Sequence, residues 1–365
     1  MKVLINRTDA IGDTILTLPM AKMLRQHFPD AKLVLLVAKK SQDLFLNNSL
    51  VDEIIVLDHS VNFLSKFFYL FKQIKKLDLS HYFYVGGSHI PSFVGFLLGI
   101  KFRGGLLHKW QSFLFLNKGV RQARSMVVMH ESEYNLNLLS PLGLNYLAAD
   151  KKRWTENLLN LNEEECLNIK TKFDKDLESK GIDGARKFIF IHPGMVGHTL
   201  NWSSRNYGRF IVRMEKEFPG QFNFVVSFTP VDIPYLEGLR DHLSKAEHKD
   251  HYKNIYFFDG SKNGLRYSMG VIKAATVFIG PSTGPTHLAN DLGVKSVGIY
   301  SPIKVQSASR WGPINRDKKM TRIVSPDVIC GEQFECAGDI CPYFECMGKI
   351  EVEDIFAQVK SLIEG

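Results

Sequence analysis

Two glycine-bearing turns, one in each half of the chain, each follow an apolar run and open an amphipathic helix. The first is Val3-Leu4-Ile5-Asn6-Arg7-Thr8-Asp9-Ala10-Ile11-Gly12-Asp13, which runs into Thr14 to Pro19. The second is Val277-Phe278-Ile279-Gly280-Pro281-Ser282-Thr283-Gly284-Pro285-Thr286-His287-Leu288-Ala289, which runs into Asn290 to Gly293. A strand that ends in such a turn and feeds a helix aims unpaired backbone N–H groups, with the helix's partial positive charge behind them, at whatever lies beyond the sheet. One such turn in each half predicts a cleft that holds an anionic ligand.

Between these turns, β-rich runs alternate with helical patterns. Val3 to Asn6, Lys32 to Val37, Ile54 to Leu57 and Tyr82 to Val85 read as strands, and Asp13 to His27 as a helix. A second series runs through Phe188 to Ile191, Phe222 to Phe228, Ile255 to Phe258, Val277 to Ile279 and Ser296 to Tyr300. This βαβ rhythm implies largely parallel sheets with helices on both faces. At 365 residues and 45% apolar the chain can bury two cores, so two doubly wound α/β domains facing each other are the expected architecture. The charged helical stretch from Thr155 to Gly181 ends in Gly181-Ile182-Asp183-Gly184, read as a linker. No apolar run reaches the roughly 18 residues needed to cross a bilayer; Phe93 to Ile100 is far too short. The first residues read as a strand and not as a signal peptide, so the cytoplasm is the expected location.

The net charge is +8. Lys101, Arg103, His108, Lys109, Lys118, Arg121 and Arg124 are interleaved with Phe and Leu, and the preceding Val61 to Lys76 places Phe63, Leu64, Phe67, Phe71 and Ile74 at helical spacing with lysines elsewhere. Two readings stand. One is an amphipathic helix packed on a sheet; the other is a basic aromatic surface that meets an anionic acceptor or an anionic membrane leaflet. No signature of nucleic-acid binding accompanies the charge. Four of five cysteines, Cys330, Cys336, Cys341 and Cys346, crowd the tail without the close pair usual at zinc sites, which favours reduced thiols over a metal centre.

The dinucleotide fingerprint G-x-G-x-x-G is missing after the first strand, where Gly12 is followed at once by Asp13, whose carboxylate would repel a pyrophosphate. The P-loop pattern is missing too. The one D-x-D, Asp174-Lys175-Asp176, lies in a charged helical stretch and reads as a solvated face, which argues against a metal-assisted sugar-nucleotide site.

Arg7-Thr8-Asp9-Ala10-Ile11-Gly12-Asp13 with Thr17 and Pro19, His130-Glu131-Ser132-Glu133-Tyr134-Asn135 with Leu142-Gly143-Leu144, His192-Pro193-Gly194 with Trp202, Gly280 to Ala289 and Trp311-Gly312-Pro313 occur in the order of one family. Together they resemble glycosyltransferase family 9, the lipopolysaccharide heptosyltransferases. The resemblance spans most of the chain. It implies the GT-B fold, two Rossmann-like domains across a cleft: an acceptor-binding domain at 1–170, a nucleotide-sugar domain at 171–349, and a C-terminal helix at 350–365 that packs back on the first.

The resemblance also implies roles. An inverting transfer without covalent intermediate needs a base for the acceptor hydroxyl, and Asp13 stands where the family keeps one; its competing role is to cap a helix starting at Thr14. Ser282, Thr283 and Gly284 would hold the donor diphosphate at a helix N-terminus, with His287 one turn on. His192 and Gly194 would form the opposite wall, with Asp232 as a ribose or base contact and Trp202 as either site or core residue. Thr8, Lys101, Arg103, Lys109 and Arg121 are the candidates for reading an anionic glycolipid acceptor at the inner face of the membrane. Two positions depart from the family: Leu200 stands where a Lys precedes the Trp, and Ser282 where an Asp is usual. Loss of the cation and of the nearby carboxylate offset each other, with Arg205 or His198 as the replacement charge. They leave the donor sugar open, ADP-heptose included. The expected substrate is a nucleotide-diphosphate sugar, without cofactor or metal. A nucleotide-sugar epimerase, a degenerate nucleotide-sugar binder and a scaffold on anionic membrane are the alternatives.

Overall fold

The computed structural model describes residues 1–145, 157–195, 199–245, 247–248, 253–331 and 334–365; His198 lies outside them. The chain divides into two compact units, Met1–Asn160 and Leu161–Gly365.

The first unit alternates β1 (Lys2–Arg7), α1 (Ile11–Ile15), α2 (Leu18–His27), β2 (Lys32–Ala38), β3 (Glu53–Leu57), α3 (Phe63–Leu77), β4 (His81–Gly86), α4 (Ile90–Leu97), β5 (Phe102–Leu107), α5 (Trp110–Phe115), β6 (Lys118–Arg121) and α6 (Glu131–Asn137). Its six strands lie in the order β3-β2-β1-β4-β5-β6, every pair parallel. The central strands are continuous apolar runs because both faces are covered: Val3, Leu4 and Ile5 are wholly buried, as are Leu33, Val34 and Leu36. The expected helix Asp13 to His27 is two helices. Pro19 in the first turn of α2 has no N–H to donate and its ring would strike the carbonyl four residues back, so the ladder restarts at Leu18.

The second unit runs α7 (Glu163–Glu178), β7 (Phe188–Ile191), α8 (Ser204–Glu217), β8 (Asn223–Phe228), α9 (Glu237–Ser244), β9 (Ile255–Asp259), α10 (Gly264–Lys273), β10 (Val277–Pro281), α11 (Gly284–Asp291), β11 (Ser296–Ile299), α12 (Ala308–Trp311), β12 (Thr321–Val324) and α13 (Val352–Glu364). Its sheet, β12-β11-β10-β7-β8-β9, repeats the strand order of the first when each unit's strands are counted from its own start. Trp202 is core: it is 1% exposed and its indole N–H donates to the Ile350 carbonyl at 2.8 Å.

Two expectations about organisation are corrected. The units part at 160/161 rather than 170/171, because α7 packs on α10 and its Glu165 pairs with Arg266. Gly181 to Gly184 is a packed turn of the second unit and no linker: Ile182 is buried, and the Asn223 amide donates to the Asp183 carbonyl at 2.7 Å. The C-terminal helix α13 packs on α8 and buries Ile355, Phe356, Val359 and Leu362 in the second unit's own core. The D-x-D residues lie on α7, where Asp174 pairs with Lys170 and Asp176 accepts from the Tyr267 hydroxyl at 3.0 Å. Among the tail cysteines Cys346 is buried, and burial, followed by the three neighbouring thiols, pushes its pKa up. Among the described residues no helix is long and apolar enough to cross a membrane.

Candidate active site

In a parallel sheet whose order reverses at one point, the loops leaving the two central strands diverge and open a crevice at their C-terminal ends. In the first unit that point lies between β1 and β4, so the crevice is bordered by Thr8 to Ala10 and by Gly87 to His89. In the second it lies between β7 and β10, bordered by His192 to Gly194 and by Ser282 to Gly284. Both turns singled out in the sequence therefore stand at switch points.

Asp13 sits in the first turn of α1, and its carboxylate is ion-paired to Arg7. A register shift in the pairing of β1 with β4 falls between Asn6 and Arg7, the local twist by which a strand re-aims its last side chain. The guanidinium so placed is buried, holds Asp9 at 2.8 Å as well, donates to the Val85 carbonyl at 3.3 Å, and lies 3.7 Å from Glu131. Glu131 is itself paired with Arg124. Burial would lower the Arg7 pKa, but Asp13, Asp9 and Glu131 raise it above its ordinary value. Burial, with the charge of Asp13 behind it, raises Asp9 against the pull of Arg7. Two guanidiniums thus face three carboxylates, with Asp13 at the rim of the cluster. Asp13 does not cap a helix: α1 starts at Ile11 after Ala10, and the capping alternative falls away.

Beside this cluster a cavity of about 620 Å³ is lined by Thr8, Asp9, Ala10, Ala38, Lys39, Lys40, Asp58, His59 and Ser60. Thr8 is 1% exposed; its hydroxyl accepts from the Ser88 amide at 2.8 Å and its carbonyl from His59 at 2.7 Å, so it ties loops together instead of reaching outward. Lys109 and Arg121 leave the C-terminal ends of β5 and β6, the edge that carries Asp13. Lys101 precedes β5 and Arg103 lies near its start, about 13–20 Å from that edge along the strand. Arg103 is spent on structure, donating to the Phe115 carbonyl at 2.7 Å and to that of Ile100. Lys101 and Arg103 are therefore not brought together with Asp13.

In the second unit the His192 amide donates to the Ile279 carbonyl at 2.8 Å, which sets the two turns side by side. Thr283 is the N-cap of α11 and makes no side-chain bond to the helix amides; the Thr286 hydroxyl turns back to the Pro281 carbonyl. Ser282, Thr283 and Gly284 are half-buried at this helix start, and His287 is buried one turn in. The His192 ring lies 2.9 Å from the Ser227 hydroxyl, and burial lowers its pKa against the pull of Asp232. Asp232 is a buried cap, accepting from the Thr229 amide at 2.9 Å and the Thr229 hydroxyl at 2.6 Å. Its carboxylate lies where a Cβ on residue 194 would stand, so only Gly at 194 leaves room for Asp232. Arg205 is exposed on α8 and paired with Asp241 at 3.1 Å. Leu200 packs against the core.

The Arg7 cluster, and a stack in which Tyr84 meets His89 at 4.2 Å and His108 at 5.8 Å, went unread in the sequence. A charged Arg7 closing the strand that carries the apolar run Val3 to Ile5 was the available signal for the first.

Residues 260–336 match the profile of glycosyltransferase family 9 (heptosyltransferase). A Haemophilus influenzae protein assigned to the glycosyltransferases is 25% identical over 314 residues, 86% of each chain. Lipooligosaccharide heptosyltransferase 2 of Campylobacter jejuni is 22% identical over 100% of this chain and 99% of its own. Among solved structures, the ADP-heptose LPS heptosyltransferase II of E. coli superposes with a TM-score of 0.77 at 17% identity, covering 100% of this chain and 99% of that one.

Proposed function

We propose that this chain, a heptosyltransferase-like glycosyltransferase of family 9, carries out an inverting sugar transfer from a nucleoside diphosphate to an anionic, lipid-linked saccharide at the cytoplasmic face of a membrane. The observation that carries the reading is the placement of both motif turns at the switch points of identically ordered sheets: Asp13 beyond β1, and the uncapped start of α11 beyond β10.

In the reaction the acceptor hydroxyl gives its proton to the Asp13 carboxylate as its oxygen bonds to the anomeric carbon. The bond from that carbon to the diphosphate breaks on the opposite face, which inverts the centre. Arg7 fixes the orientation of the carboxylate, an ion pair that leaves one oxygen for the proton. Negative charge grows on the departing diphosphate, and the first amides of α11 meet it with the helix dipole behind them. Thr283 adds a hydroxyl. A buried His192 held below its ordinary pKa serves this wall as a neutral hydrogen-bonding ring. The E. coli relative is named for ADP-heptose, which makes it the first donor to try.

Asp13→Asn keeps the side chain's size and removes the base. Transfer should fall by about 10²- to 10⁴-fold while ADP affinity, measured by calorimetry, stays within error. A fully active Asp13→Asn would remove the base assignment.

A further inference from the structure

Between Val61 and His130 the sequence carries ten lysines and arginines against one acidic residue, Asp78. Three helices of this stretch, α3, α4 and α5, pack side by side. Only Leu70, Ile74 and Leu77 of α3 go fully into the core. Rings join the outer faces: Phe67 meets Phe93 at 5.6 Å, and Phe115 meets Phe93 at 5.2 Å and Phe96 at 5.8 Å. On this base Leu64, Phe68, Leu97, Trp110, Phe113 and Leu114 stand in solvent, Phe68 at 65% and Trp110 at 68% exposure. Scattered apolar residues are ordinary on a surface; a joined aromatic face is not.

The charge around this face selects the occupant. None of the three helices contains an acidic residue, and α3 presents Lys72, Lys75 and Lys76 to solvent. Aromatic and aliphatic side chains at the acyl boundary with lysines at the phosphates is the arrangement of a helix lying in a membrane interface. The face also borders the candidate site, because α3, α4 and α5 all start at the C-terminal edge of the sheet, where Asp13 stands.

We infer that the α3–α4–α5 face docks on an anionic lipid surface, with Leu64, Phe68 and Trp110 entering the acyl boundary and Lys72 and Lys75 meeting lipid phosphates. The inference deepens the proposed function, since a lipid-linked acceptor would be met at that surface, but docking itself needs no transfer.

Flotation of the full chain with vesicles of phosphatidylglycerol and phosphatidylcholine in equal parts, beside phosphatidylcholine alone, tests it. The wild type should float with the anionic vesicles and release in high salt. Phe68→Ser with Trp110→Ser, and separately Lys72→Glu with Lys75→Glu, should each weaken that partition by about tenfold or more. These positions are exposed, and an unchanged circular dichroism spectrum checks the fold. Equal flotation of wild type and both pairs, or none by the wild type, overturns the inference. So does a wild-type dimer that the Phe68→Ser, Trp110→Ser pair dissolves, since a second copy would then cover the face. Transfer to a short water-soluble acceptor should be unchanged in both pairs; its loss there would assign these residues to the reaction and overturn docking. Flotation by a wild type that transfers to no acceptor supports docking and sinks the glycosyl-transfer reading instead.

Discussion

Arg7 couples the stability of the first unit to its chemistry. Its guanidinium is buried among Asp9, Asp13 and Glu131, and removing it leaves the Asp9 and Asp13 carboxylates charged without that cation, while Glu131 keeps Arg124. Arg7→Met should therefore cost about 3–5 kcal/mol, read from urea midpoints. Asp9→Asn added to Arg7→Met should recover part of that cost, because Asp9 is the carboxyl whose ionised form burial already disfavours. Equal losses in the single and double variants would contradict the account. The motif letters put Asp13 just beyond the first strand, where it lies, because a carboxylate after a strand end is a local signal. The partners that orient it come from residue 7 on β1 and residue 131 on α6, and spacing along the chain carries no information about such a meeting.

At the scale of elements, the strands read best were those buried on both faces, where an apolar run is obligatory: Phe188–Ile191 falls at the expected residues, and Lys32–Ala38 extends its run by one. Three strands went unread, β5, β6 and β12. β5 contains Gly104, where a Cβ would lie 2.8 Å from the Phe83 ring, so packing selects a residue of poor strand propensity. β6 and β12 are four-residue edge strands, too short to show an alternation: β6 exposes Lys118 and Arg121, and β12 buries Thr321 while exposing Ile323. α3 was read as amphipathic, yet of the five residues assigned to its apolar face only Ile74 is fully buried, and the rest of that face serves the exposed surface. The turn from β4 into α4 carries a pH prediction. His89 stacks on Tyr84, and burial, then the charges of His108 and Lys109, push it down to about 4 from the ordinary 6.5. As pH falls below 6.5 the unfolded chain takes a proton there that the folded chain refuses until about 4, so stability is lost across that window. His89→Phe keeps a ring on Tyr84 and removes the loss. With the ring only partly buried, the difference should be about 1 kcal/mol at the acid end, seen as a wild type that weakens more steeply than the variant between those two pH values. Parallel curves would rule it out.

For the whole molecule, the two sheets share one strand order while their switch points carry different chemistry: carboxylates and guanidiniums in the first unit, an uncapped helix start in the second. The family motifs made this division legible, since each motif is local to one strand end. The boundary at 160/161 and the place of α13 were not, because both depend on which surface a helix covers, and an amphipathic sequence does not name its partner. The division has a thermodynamic consequence. A ligand stabilises what it binds by mass action, so ADP at a hundredfold its Kd should add about 2.7 kcal/mol to unfolding of the second unit, with its separate core, and leave the first near its unliganded value. Scanning calorimetry with and without ADP reads this as a shift of one transition. The shift should survive Asp13→Asn, a change within the first unit. It should shrink in Ser282→Asp, because a carboxylate placed at the start of α11 repels the diphosphate, and Leu200, packed against the core, offers no compensating cation there. An undiminished shift in Ser282→Asp would place the nucleotide away from α11 and remove the second unit's half of the proposed reaction.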